Sequence, residues 1–104
     1  MILLCHCASS SREVQTSAEA VPVAIRYVDL HAQKVCIAGS FNQWSPESHC
    51  MKNERGTWSI QLRLSPGRYQ YNLVIDGRLW KADPNSPIEE ESGFGTENSV
   101  FVVE

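Results

Sequence analysis

The chain contains no apolar run near the roughly 20 residues that a membrane-spanning helix needs. Its apolar opening, Met1 to Cys5, is too short to span and lacks the basic start of a secretory leader, though it could be the tail of a longer one. Cations are few: nine Lys and Arg against twelve Asp and Glu give a formal charge of −3. They are scattered from Arg12 to Lys81 without a cluster, which excludes the basic face that nucleic acid requires. None of the four cysteines has the two-residue spacing of a zinc site. Cys5-His6-Cys7 offers too few ligands for a closed metal site, and Cys36, inside an apolar run, reads as a small buried apolar residue. These cysteines do not report a compartment, and the cytoplasm stands as the default.

Catalytic signatures are missing as well. There is no nucleophile motif and no glycine loop to cradle phosphate. Asp76 and Asp83 stand beside Gly77 and Pro84 in turn positions, Asp29 is in a polar loop, and Glu89 to Glu91 reads as a solvated loop face. His31 and His49 sit in separate polar loops with no evident partner. Paired-carboxylate chemistry needs two opposed acids in contrasting environments, and nothing here suggests them. No enzyme activity, cofactor or metal is expected.

No segment keeps a helical period either. Residues 1–20 are read as a disordered tail or leader remnant, because Ala8 to Ala20 is rich in Ser, Thr, Glu and Gln and has too little apolar surface to offset its ordering entropy. The folded domain is placed at 21–104. Pro22 to Val28 is β-prone, and Lys34 to Gly39 is apolar on both faces, as in a central strand. Thr57 to Leu64 and Arg68 to Asp76 alternate with period two, and Ser65-Pro66-Gly67 between them predicts a hairpin. Leu79 to Ala82 returns after the Asp76-Gly77 turn, and Asn98 to Val103 is the last strand. Ser40 to Gly56 and Asp83 to Glu97 read as loops. About seven short strands predict an all-β antiparallel sandwich.

The tryptophans then carry the functional signal. Trp58 lies on an alternating apolar face and belongs in the core. Trp44, in a polar loop, and Trp80, at a strand edge, have no periodic reason to be buried. An exposed indole is a rigid apolar platform with an N–H at its rim, suited to the C–H face of a glucose ring. Nearby amides, hydroxyls and amines would then bond the sugar hydroxyls.

Val35-x-Ile37-x-Gly39-Ser40-Phe41-Asn42-x-Trp44-Ser45 resembles the opening of family 48 carbohydrate-binding modules. That family includes the glycogen-binding domain of the AMP-activated protein kinase β subunit and the N-terminal domains of isoamylases and branching enzymes. Pro66-Gly67-x-Tyr69-x-Tyr71-x-x-Val74-x-Asp76-Gly77, followed by Trp80-x-x-Asp83-Pro84, is similar to its second block, and Gly95-Thr96-x-Asn98-Ser99-Val100 to its last loop and strand. The resemblance implies an immunoglobulin-like sandwich of the early-set type that binds α-1,4-glucan polysaccharide or maltooligosaccharide. It implies stacking by Trp44 and Trp80, insertion of Phe94 into the curve of the glucan, and hydroxyl contacts from Thr96 and Asn98. Asn72 stands where the kinase pattern has a lysine, and the turn before Trp80 has one extra residue, with Lys81 as a neighbouring donor. Association with a glucan-metabolising enzyme or a kinase subunit is implied too. The alternative is an interaction module whose sandwich docks a protein and no longer binds sugar.

Overall fold

The computed structural model describes residues 20–86, 88–91 and 97–104. Among them there is no helix long and apolar enough to cross a membrane. Eight strands follow one another: β1 (Val21–Val28), β2 (Val35–Gly39), β3 (Lys52–Glu54), β4 (Thr57–Leu64), β5 (Gly67–Ile75), β6 (Leu79–Lys81), β7 (Ile88–Glu91) and β8 (Glu97–Val103). One sheet has the order β1-β4-β3, and the other β2-β5-β8-β7 with β6 also paired to β5. Every described pairing is antiparallel. The expected all-β sandwich is therefore observed. The expected tail at 1–20 lies, but for Ala20, outside the described residues.

Alternation builds the core. Ile25, Tyr27, Trp58 and Leu62 from the first sheet meet Val35, Ile37, Tyr71, Leu73 and Ile75 from the second, with Met51 among them. Trp58 is 5% exposed, as its pattern predicts, and its indole N–H donates to the Asp29 carbonyl at 3.0 Å. One indole thus joins the core to the β1–β2 loop.

Five expectations are corrected. β4 and β5 do not form a hairpin: β4 pairs with β1 along its full length, while β5 joins the other sheet. Ser65 and Pro66 carry the chain between sheets, and alternation marks which face of a strand is buried without naming its partner. The segments read as loops hold β3 and β7, two short strands made of Lys52, Asn53, Glu54 and of Ile88 and three glutamates. Exposed edge strands lack an apolar face and so have no period to read. The β3–β4 turn holds Arg55 and Gly56 at positive φ (56° and 89°), and Gly56 was its sign in the sequence. β2 is not central but ends its sheet; it is buried because residues 49–51 cover its free edge, where Ile37 N–H donates to the His49 carbonyl and Met51 N–H to the Val35 carbonyl, both at 2.8 Å. Finally, Cys36 is not a lone apolar residue: it forms a disulfide with Cys50. His49 also has a partner, since its Nδ1 lies 3.0 Å from Asn42 Nδ2.

A polar seam crosses the core. Tyr71 Oη donates to Asp83 Oδ2 at 2.6 Å, and the Ser99 hydroxyl accepts from Asp83 N–H at 2.7 Å. Asp83, 2% exposed, owes its burial to these bonds together with that from Asn85 N–H.

Two predictions follow from this packing. Burial, then the bond to Asp83, hold the Tyr71 phenol well above its ordinary pKa, so the folded state keeps a proton that the unfolded chain releases near pH 10. The stabilisation is complete below that pH and is lost as pH rises past it, by up to about 1.4 kcal/mol per pH unit. Urea titrations from pH 9 to 11.5 should show this slope in the wild type and a shallower one in Tyr71→Phe. At Gly39 an added Cβ would lie 2.5 Å from the Gln70 carbonyl oxygen and 2.6 Å from the Phe41 ring. Gly39→Ala should cost about 1–3 kcal/mol by overpacking, measured as a lower urea midpoint.

Candidate functional site

The outward face of the second sheet is read from its register. Directly opposed residues share a face, so Trp80 on β6, Val74 on β5 and Cys36 on β2 stand in one row, continued by Cys50 across an isolated bridge. The next row toward the other end of β5 contains Asn72 and Ala38, and β8 adds Asn98 and Val100 on the same side. Trp80 is 43% exposed. The three-residue β5–β6 reversal, Asp76 to Arg78, places its strand antiparallel to β5, with Asp76 and Gly77 both at positive φ.

Trp44 arrives from the loop that follows β2. Asn42 organises that loop: its Oδ1 accepts from Gly39 N–H at 3.0 Å, and its Nδ2 donates to the Ile37 carbonyl at 3.1 Å and faces His49. The N–H groups of Asn42 and Trp44 both donate to the Gly39 carbonyl, at 3.1 and 2.9 Å. Gln43 and Trp44 are then held in the left-handed region (φ 56° and 59°), where non-glycine residues seldom sit. The result is a half-buried indole outside the core cluster. Asn42 makes its bonds within the loop and so positions Trp44, and its place two residues before Trp44 was the available signal.

The polar candidates divide. Asn72 and Asn98, 7% and 8% exposed, meet through their side-chain amides at 2.6 Å. Asn98 extends this contact to Gln70 Oε1 at 3.3 Å, and Gln70 donates to Glu90, which also accepts from Arg68. The Arg68 guanidinium holds the Glu90 carboxyl below its usual range. An amide and ion ladder therefore runs along this face, away from Trp80 toward β7. Lys81 does not join it. Alternation turns Lys81 to the opposite side of β6, opposite Leu73, and its ammonium donates to Tyr27 Oη at 3.1 Å. Phe94 and Thr96 lie outside the described residues.

The carboxylates have structural duties. Asp29 accepts from the N–H groups of His31 and Ala32 and from Tyr27 Oη, and these bonds, that of His31 foremost, lower its pKa. Asp76 Oδ1 accepts from the N–H groups of Gln33 and Lys34, pinning the β1–β2 loop to the β5–β6 turn. Among the described residues no group of three metal-ligating side chains converges. A cleft of about 540 Å³ lies on the other sheet, lined by Arg26, Glu54, Arg55, Thr57 and Ser59, away from Trp80. Neither Trp44 nor Trp80 lines it.

Comparison with known proteins agrees with this geometry. A family model described as the glycogen recognition site of AMP-activated protein kinase matches residues 21–104. The chain is 39% identical over 72 residues to the rice (Oryza sativa subsp. japonica) protein FLOURY ENDOSPERM 6, chloroplastic, covering 69% of this chain and 13% of that one. It is 34% identical over 90 residues to the human 5'-AMP-activated protein kinase subunit beta-2, covering 86% of this chain and 32% of the subunit. The crystal structure of a maltogenic amylase from S. marinus superposes with a TM-score of 0.66 at 18% identity, over 80% of this chain and 13% of the amylase, which establishes the likeness of fold. The chain thus spans a minor part of each of these relatives. It belongs to the family of the glycogen recognition site of AMP-activated protein kinase.

Proposed function

We propose that this chain is a non-catalytic module that binds α-1,4-glucan, with Trp44 and Trp80 stacking on successive glucose rings. The observation that carries the reading is the exposed Trp80 indole, raised on β6 above the outward face while Trp58 is confined to the core. A large apolar ring left in water has an unfavourable hydration that a sugar face relieves. Trp44, held by the Asn42 network, supplies the second ring. Asn98 and Asn72 form the polar edge of the shelf, and Phe94 and Thr96, in the segment joining β7 to β8, are proposed to complete it.

A shallow shelf must strip water from many hydroxyls for a modest apolar contact. One short chain should therefore bind with micromolar to millimolar affinity, roughly −4 to −8 kcal/mol. A branched polymer presents many such chains, so retention by glycogen can exceed the single-site value by avidity. The matched relatives are several times longer, which supports a role in bringing a joined or associated enzyme or kinase subunit to the polymer.

Titration with maltoheptaose, followed by intrinsic fluorescence and by amide shifts, tests the reading. Each indole contributes about 2 kcal/mol if half its area is covered, so Trp44→Ala and Trp80→Ala should each weaken binding roughly tenfold or more. Trp80→Ala should leave the urea midpoint almost unchanged, because its ring lies outside the core. Equal retention of wild type and both variants on glycogen would remove the proposal and favour a protein partner for this face.

A further inference from the structure

The Cys36–Cys50 disulfide occupies a position that neither core packing nor the stacking residues account for. β2 buries Val35 and Ile37 in the core, and Cys36 between them faces outward. Cys36 therefore shares its row with Val74 and Trp80, and Cys50 ends that row. The cross-link closes residues 36–50, separated by 14 positions, and Trp44 lies inside that loop. One covalent bond thus lies in line with the first indole and ties down the segment that carries the second.

The rest of the loop is held weakly by comparison. The bonds that shape it at Trp44 run back to Gly39, Asn42 and Ile37, all at its beginning. Its far end is tied to β2 by two backbone bonds flanking the disulfide and by the contact of His49 with Asn42. Without the cross-link the segment gains loop entropy. The left-handed conformations of Gln43 and Trp44 are then among the first to be abandoned, since a free chain seldom visits them.

We propose that the Cys36–Cys50 disulfide makes glucan binding redox-dependent, the oxidised form holding Trp44 in its binding position and the reduced form releasing it. This inference rests on the glucan-binding reading of the face. Reduction begins at Cys50, which is exposed, while Cys36 is buried. A thiolate of a dithiol reductant attacks Cys50 Sγ; the protein S–S bond breaks and Cys36 leaves as a thiolate that takes up a proton. The second thiolate of the reductant attacks its own sulfur in the mixed disulfide, expelling Cys50, which is protonated in turn. Two electrons pass to the protein, and the reductant departs as its disulfide. The reduced loop samples many conformations, so the apparent dissociation constant rises by the factor by which the competent population falls.

The test uses the full chain with Cys5→Ser and Cys7→Ser, so that Cys36 and Cys50 are the only thiols. Maltoheptaose affinity and amide hydrogen exchange are measured in the oxidised form, after reduction by dithiothreitol, and in an added Cys50→Ser variant. Reduction should weaken binding roughly tenfold and accelerate exchange at the Asn42, Trp44 and Ser45 amides by a similar factor, with the far-UV β spectrum retained. Cys50→Ser should behave as the reduced form, with or without dithiothreitol. Unchanged affinity and unchanged exchange after complete reduction would overturn the proposal. Global loss of the β spectrum would overturn it too, because the bond would then be a staple for the whole domain. An oxidised form that binds no glucan, with loop exchange still responding to reduction, would remove the binding reading and leave the redox-controlled loop standing.

Discussion

The outward face that carries Trp80 and the inward core depend on one strand, β5, which is hydrogen-bonded along both edges: to β2 on one side, and to β8 and β6 on the other. Its residues alternate strictly. Tyr71, Leu73 and Ile75 enter the core, while Asn72 and Val74 belong to the face that carries Trp80. A register slip of one residue would exchange those sets and place the Asn72 amide among the apolar side chains of the core. The packing of the sandwich and the orientation of that face are therefore set by the same ladder of backbone bonds.

A strand and a loop present the two indoles. Trp80 stands on a short strand whose hairpin turn is locked by Asp76, the residue that also receives the N–H groups of Gln33 and Lys34. Trp44 stands on a longer segment with its own internal polar hub, the nearly buried Asn42. A buried amide is costly unless its bonds are made, so this hub favours one loop conformation while the loop remains attached at both ends. The disulfide secures the second attachment.

Four of the acids in the described residues cap turns, join loops or pair with neighbouring strands. Asp29 and Asp76 organise backbone N–H groups, Asp83 completes the seam with Tyr71 and Ser99, and Glu90 ends the ladder from Asn72. Acids used in this way serve the geometry of the fold. Their roles agree with a module whose chemistry is recognition.

The sequence by itself determined the sandwich, because alternation in β4 and β5 forces one face of each strand out of water. It also separated Trp58, which lies on a buried period, from Trp44 and Trp80, which do not. A local motif was legible where its physics is local, at the Asp76-Gly77 reversal. Tertiary structure alone decided which strand pairs with which, since alternation is silent about partners, and so β4 and β5 parted into different sheets. It alone revealed β3 and β7, edge strands with no apolar period, and it alone brought the Lys81 ammonium to Tyr27. Only the folded chain brings Cys36 opposite Cys50, because their contact is made by the return of a loop across β2 and leaves no mark in the spacing of the residues.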